Sequence, residues 1–129
     1  MKSFRNRIST VIELYNRGNT NDAISELGSI ANTEQINLNT FANKLSQYRL
    51  PFSDSVANIE MLRSNTVSYM KALLKYDKDY LVAKQKNNWD QVYGLLDQVN
   101  NFETQFNNTY KELKQKEDSI ISSATNYFN

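Results

Sequence analysis

The chain contains no cysteine and no histidine, and only three glycines and one proline in 129 residues. Without cysteine there are no disulfides and no thiolate metal ligands. Without histidine there is no imidazole to bind zinc or to serve as a general base. A serine nucleophile would lack its usual base, and no glycine-rich elbow presents a serine for a Ser–Lys arrangement. Three dispersed glycines cannot build a phosphate-cradling loop of the GxxxxGK[ST] or GxGxxG kind. The same scarcity argues against an all-β fold, which needs turn residues every ~8–12 positions. No stretch approaches the ~18 consecutive apolar residues of a membrane span. Charge of neither sign dominates: 15 basic and 14 acidic residues leave a net charge of +1. A nucleic-acid-binding domain is usually strongly basic, so no nucleic-acid partner is expected. The basic group Lys2, Arg5 and Arg7 reads as solvated positions on a first helix rather than as a phosphate-binding arm.

The hydrophobic share of 40% and the charged share of 22% are those of an ordinary globular chain, and the length suits a single domain, 1–129. Asparagine is abundant, with 18 residues, and arginine gives way to lysine in the second half. An AT-rich bacterial or phage genome produces that bias without functional pressure. After Lys2-Ser3-Phe4-Arg5, charged and apolar residues alternate without the apolar core of a signal peptide. The start is compatible with a membrane anchor attached upstream. The absence of cysteine and the wealth of asparagine favour a bacterial extracytoplasmic setting, with the cytoplasm as the alternative.

Hydrophobic spacing places helices over 3–17, 20–31, 38–49, 53–86 and 89–128. In the first, Phe4, Ile8, Val11, Ile12 and Tyr15 share one face, and Gly18 supplies the stop. Asn19 or Thr20 caps the second, which carries Ala23, Ile24, Leu27, Ile30 and Ala31. The polar run Asn32 to Asn37 reads as a turn or irregular helix before a third apolar stripe of Leu38, Phe41, Leu45 and Tyr48. Pro51 then disfavours a helical Leu50 and marks a corner. Beyond Ser53 and Asp54, a stripe from Val56 to Ala83 runs unbroken. After Lys86-Asn87-Asn88, another runs from Trp89 to Phe128. Two long helices joined by so short a break lie antiparallel. The expected fold is therefore all-α: a helical bundle built on a long antiparallel hairpin, 53–86 and 89–128, covered by two or three shorter N-terminal helices.

One internal echo pairs Gly18–Leu27 with Lys86–Leu95, each a polar turn followed by a capped helix. The first segment resembles one unit of a tetratricopeptide repeat, but the pattern does not recur at a spacing of ~34 residues. Shared helix-start chemistry accounts for both segments.

No candidate catalytic, cofactor-binding or metal-binding residue emerges. Asp77 and Asp79 are two positions apart on a helix and so diverge, while Tyr76 and Tyr80, at i and i+4, share a face toward the bundle. Glu112 with Lys116 and Lys114 with Asp118 read as exposed i, i+4 pairs. The aromatic residues are more informative. Phe102 and Phe106 suit the core, whereas Trp89 at the hairpin tip, and Tyr93 and Phe128 off the central stripe, are the candidate partner contacts. The leading expectation is a non-catalytic helical module that binds another protein or itself, in the setting of a bacterial surface protein or lipoprotein ectodomain. The alternatives are a small-molecule-sensing bundle with a polar cavity lined by Thr66, Glu103 and Glu117, and a phage or host adaptor that masks a protein surface.

Overall fold

Neither glycine nor proline occurs between Asp54 and Lys86, so each backbone amide there can meet its i−4 carbonyl without interruption. The computed structural model describes the backbone of residues 2–47 and 53–128, and side chains of 4–33, 57–119 and 122. These residues form four helices and no strand: α1 (Lys2–Asn16), α2 (Thr20–Gln47), α3 (Ser53–Gln85) and α4 (Trp89–Phe128). At 1.5 Å per residue, α3 and α4 run about 50 and 60 Å.

The long helices fold back on one another at Lys86–Asn88 and pack along their length. Arg63 of α3 meets Glu117 of α4, and Tyr76 stacks on Phe102 with ring centroids 5.4 Å apart. The shorter α1–α2 hairpin lies against this pair. Arg5 of α1 bonds Asp118 of α4, whereas Thr20 at the start of α2 bonds Asp77 near the end of α3. Successive helices thus alternate in direction around one core. Its buried side chains are Ile8 and Val11 from α1, Leu27 and Ile30 from α2, Ile59, Met70, Leu73 and Leu74 from α3, and Val99, Phe106 and Leu113 from α4. Each fully buried Leu or Ile contributes roughly 1.5–3 kcal/mol before chain entropy is subtracted.

The second and third expected helices, 20–31 and 38–49, are one continuous helix. α2 passes straight through Asn32–Asn37 and ends at Gln47. No proline stands in this stretch, and Asn, Thr and Gln each cost only a few tenths of a kcal/mol in a helix interior. Such losses weaken a helix without ending it. The cover is therefore two helices, not three. Tyr48 and Pro51 lie outside the described residues.

Both corners use the same device. The amide of Asn19 donates to the Leu14 carbonyl (2.9 Å) and that of Gly18 to Tyr15 (3.0 Å). At the other corner Asn88 donates to Ala83 (3.0 Å) and Asn87 to Lys84 (3.2 Å). Each is a Schellman closure, with Gly18 at φ 79° and Asn87 at φ 55° in the left-handed region. Asn19 and Asn88 then open the following helices, accepting from Ala23 and Val92 through their carbonyls (both 3.0 Å). The sequence echo is thus a repeated corner, in a register that pairs Gly18 with Asn87 rather than with Lys86. Asn19, not Thr20, is the cap. Asn88 adds a side-chain box with Gln91, accepting from its amide at 3.4 Å and donating to its Oε1 at 3.1 Å. Because a β-carbon disfavours the left-handed region, Gly18→Ala should lower stability by about 1 kcal/mol, and Asn87→Gly should raise it by a few tenths. Urea midpoints measure both.

Candidate functional site

Four places concentrate chemistry or exposed apolar surface among the described residues. The first is a line of charges inside the bundle. The Arg63 guanidinium, 7% exposed, bonds Glu60 Oε1 at 3.0 Å on its own helix and Glu117 Oε1 at 3.2 Å on α4. Arg5 lies 3.8 Å from the other Glu117 oxygen and 2.9 Å from Asp118. The Phe4 ring centroid lies 5.3 Å from the Arg63 guanidinium carbon. Glu117 was expected as the lining of a polar cavity, but it is fully buried and taken by arginine. The charges alternate in sign, so the arrangement ties α1, α3 and α4 in one register.

The early basic residues are equally committed. Arg7 donates to Ser29 (2.9 Å) and Thr33 (3.2 Å) of α2 and lies 3.5 Å from Glu26. Arg5 and Arg7 therefore act as cross-helix ties rather than merely solvated charges. Asp118, expected to pair along its helix with Lys114, is engaged by Arg5, while Lys114 rides over the Tyr110 ring at 4.7 Å. The Tyr110 hydroxyl donates to the Arg5 carbonyl at 3.2 Å.

The second place is where the α1–α2 corner meets the long hairpin. Thr20 Oγ1 donates to Asp77 Oδ2 at 2.8 Å. Tyr15 has its pKa pushed up to about 12 by burial first, then by the negative charges of Asp77 and Glu103, and by a hydrogen bond to Glu103. Between pH 10 and 12 its proton is therefore held in the folded state and released in the unfolded one. The Tyr15 contribution to stability is fully present below pH 10 and is lost as pH rises toward 12. Thermal melts should accordingly show wild type losing stability relative to Tyr15→Phe as pH climbs through this window, and holding a constant difference below it.

Among the described residues, Thr66, Glu103 and Glu117 line neither the α2–α3 cavity nor the one beside Arg5 and Tyr110. Thr66 Oγ1 is buried and donates to the Leu62 carbonyl of its own helix at 2.7 Å. Glu103 is exposed and turned to Tyr15. None of the three lines the third place, an open cavity of about 590 Å³ between α2 and α3. Its floor is Ile24, Leu27 and Leu74. Its walls are narrowed to the small residues Gly28, Ala31, Ser68 and Ala72, and its α3 rim is Lys71, Lys75 and Lys78, with Asp79 at one end. These lysines stand at i, i+4 and i+7 and so form one row.

The fourth place is the hairpin tip. The α1–α2 corner is fastened at Asp77, and α3 continues past Asp77 to the corner at Lys86, about 14 Å farther. Beyond the cover of α1 and α2 only two helices remain, and two helices cannot enclose a wide apolar band. Ala83 and Val92 are buried between them, while Leu81, Val82, Trp89 and Tyr93 are left to solvent. Trp89 is 51% and Tyr93 66% exposed. Phe128 closes α4 at the opposite end, and its side chain lies outside the described residues. The same uncovered segment also leaves exposed two aliphatic residues, Leu81 and Val82, that sequence periodicity assigned no special place. The missed signal is the length mismatch: a 15-residue α1 cannot shadow helices more than twice as long.

Comparison with protein-family models, with curated proteins and with solved structures finds no match to this chain.

Proposed function

We propose that this chain is a non-catalytic helical interaction module that contacts another protein through the projecting tip of its long hairpin. The observation that carries the reading is the exposure of Trp89 and Tyr93, one turn apart on α4, on a segment that extends past the α1–α2 corner. Trp and Tyr anchor protein interfaces out of proportion to their numbers, because they bury much area at little rotamer cost. Clustered exposed apolar groups of this kind mark contact surfaces more often than isolated ones do. The tip also gains reach from its support, since the Thr20–Asp77 hydrogen bond anchors the hairpin below it. The setting we favour is extracytoplasmic, as the helical part of a bacterial surface protein or lipoprotein, supported by the lack of cysteine and the wealth of asparagine. A small-molecule sensor would need a polar cavity, and the residues that suggested one are engaged elsewhere.

Site-specific photo-crosslinking tests the reading. A photoreactive residue at position 93 should yield protein adducts in the cells that make the chain, and one at the exposed Lys111 position on α4 should not. Equal adducts from both positions, or none from position 93, would refute the tip as the contact surface.

A further inference from the structure

The tip and the α2–α3 cavity are complementary to each other. On α4, Trp89, Asp90, Tyr93 and Asp97 stand at i, i+1, i+4 and i+8, which is one side of the helix, and all four are exposed. From Trp89 to Tyr110, α4 carries three acidic residues (Asp90, Asp97 and Glu103) and no basic one. The tip's cations, Lys84 and Lys86, belong to α3 and the corner, and the Lys84 ammonium rests 5.8 Å from the Tyr80 ring centroid. The cavity has the opposite character: an apolar floor of Ile24, Leu27 and Leu74 beside the lysine row 71, 75 and 78. Lys75 lies 5.8 Å from the Tyr76 ring centroid, and no ion pair holds any of the three among the described residues.

The dimensions agree as well. From Ser68 to Asp79 the cavity wall is about 16 Å long, and the segment from Trp89 to Asp97 is about 12 Å. The small residues Gly28, Ala31, Ser68 and Ala72 leave room above the floor for a helix to approach. Within one molecule the two surfaces cannot meet, because the cavity lies on the same rigid α3 from which the tip projects. Only a second molecule can bring them together.

We infer that a second copy of this chain is the partner: the aromatic, acidic face of one copy's tip, Trp89–Asp97, docks in the lysine-rimmed α2–α3 cavity of the next. This rests on the reading of the tip as a contact surface and names what it contacts. Trp89 and Tyr93 cover Ile24, Ala31 and Ala72, and Asp90 and Asp97 lie against Lys71, Lys75 and Lys78. The contact is heterologous, since the two patches differ, so copies add head to tail, closing into a ring or extending as a strand.

Complementation by sedimentation velocity decides it. Wild type should grow beyond 15.0 kDa as concentration rises, and added salt should weaken the association. Trp89→Ala/Tyr93→Ala should raise the dissociation constant by roughly 30-fold. Lys71→Glu/Lys75→Glu/Lys78→Glu should raise it by roughly tenfold or more. All five positions are exposed, and circular dichroism checks that each variant keeps its helices. The decisive sample is the mixture. Each variant retains one intact patch, so an equimolar mixture should form a heterodimer but no larger species. Combining the lysine reversals with Asp90→Lys/Asp97→Lys in one chain should restore self-association. Wild type that stays at monomer mass at its highest soluble concentration would overturn the inference, as would a mixture that fails to associate. If position 93 still cross-links to a different protein in either case, the tip remains a contact surface and only the second copy is wrong.

Discussion

Arg63→Met should destabilise the protein by about 3–5 kcal/mol, the largest effect expected of any single charge-removing change in this chain. Methionine keeps most of the volume, so the loss is electrostatic rather than a cavity. Arg63 lies between Glu60 and Glu117 and is bonded to both. Take it away and two buried carboxylates remain, with one guanidinium, that of Arg5, 3.8 Å from Glu117 Oε2. Charges of one sign left in a low-dielectric interior lose hydration without gaining a partner. Glu60 Oε2 and Glu117 Oε2 already have no hydrogen-bond partner among the described residues. Neutralising the carboxylates in the same background, as Glu60→Gln/Arg63→Met/Glu117→Gln, should recover much of the loss. Urea unfolding of the two variants measures both. A single variant as stable as wild type would show that the arginine is not what neutralises the cluster.

Leu113→Ala should cost roughly 2–5 kcal/mol. Leu113 is fully buried on α4, one turn before Glu117, one turn beyond Tyr110 and two beyond Phe106, whose ring stacks on that of Tyr110 at 5.5 Å. At this level α1 joins α3 and α4, since Tyr110 reaches the Arg5 carbonyl and Glu117 reaches Arg63. Walls held from three sides cannot collapse inward to fill the void. Val92→Ala makes a smaller void at a place enclosed by two helices only, and its cost should be about 1 kcal/mol. The difference between the two costs marks the same boundary that exposes Trp89 and Tyr93. Amide exchange should agree, with protection in α4 strongest around Leu113 and weakest before Val99. Equal costs at positions 92 and 113 would mean that the tip is as well supported as the middle of the bundle.

The helix ends show how far local chemistry reaches. Gly18 stops α1 because a residue there must adopt positive φ, and glycine does so without penalty. The unbroken apolar stripes from Val56 and from Trp89 likewise announce two long helices, and the polar break between them announces their reversal. Asn32–Asn37 misleads for the same local reason: a run of polar residues resembles a turn, yet none of its members ends a helix. Helix α2 continues because stopping needs a residue that resists the helical conformation, and neither glycine nor proline stands between Asn32 and Gln47.

Pairing across helices is a different kind of information. That Glu117 and Thr66 fall on inward positions follows from periodicity alone. That Glu117 meets Arg63 and Arg5, and that the Thr66 hydroxyl turns back to its own helix, follows from how far each helix slides against its neighbours. Periodicity repeats every turn and is the same for several alignments, so it cannot choose among them. The choice is made by the α1–α2 corner seated at Asp77, which also sets how much of the hairpin stands clear. The class of fold, the long helices and their reversal are legible in the residue order, because those depend on neighbours within a few residues. The tertiary structure alone decided which charges are buried together and why Trp89 and Tyr93 face solvent, because both depend on the axial offset between helices distant in the chain.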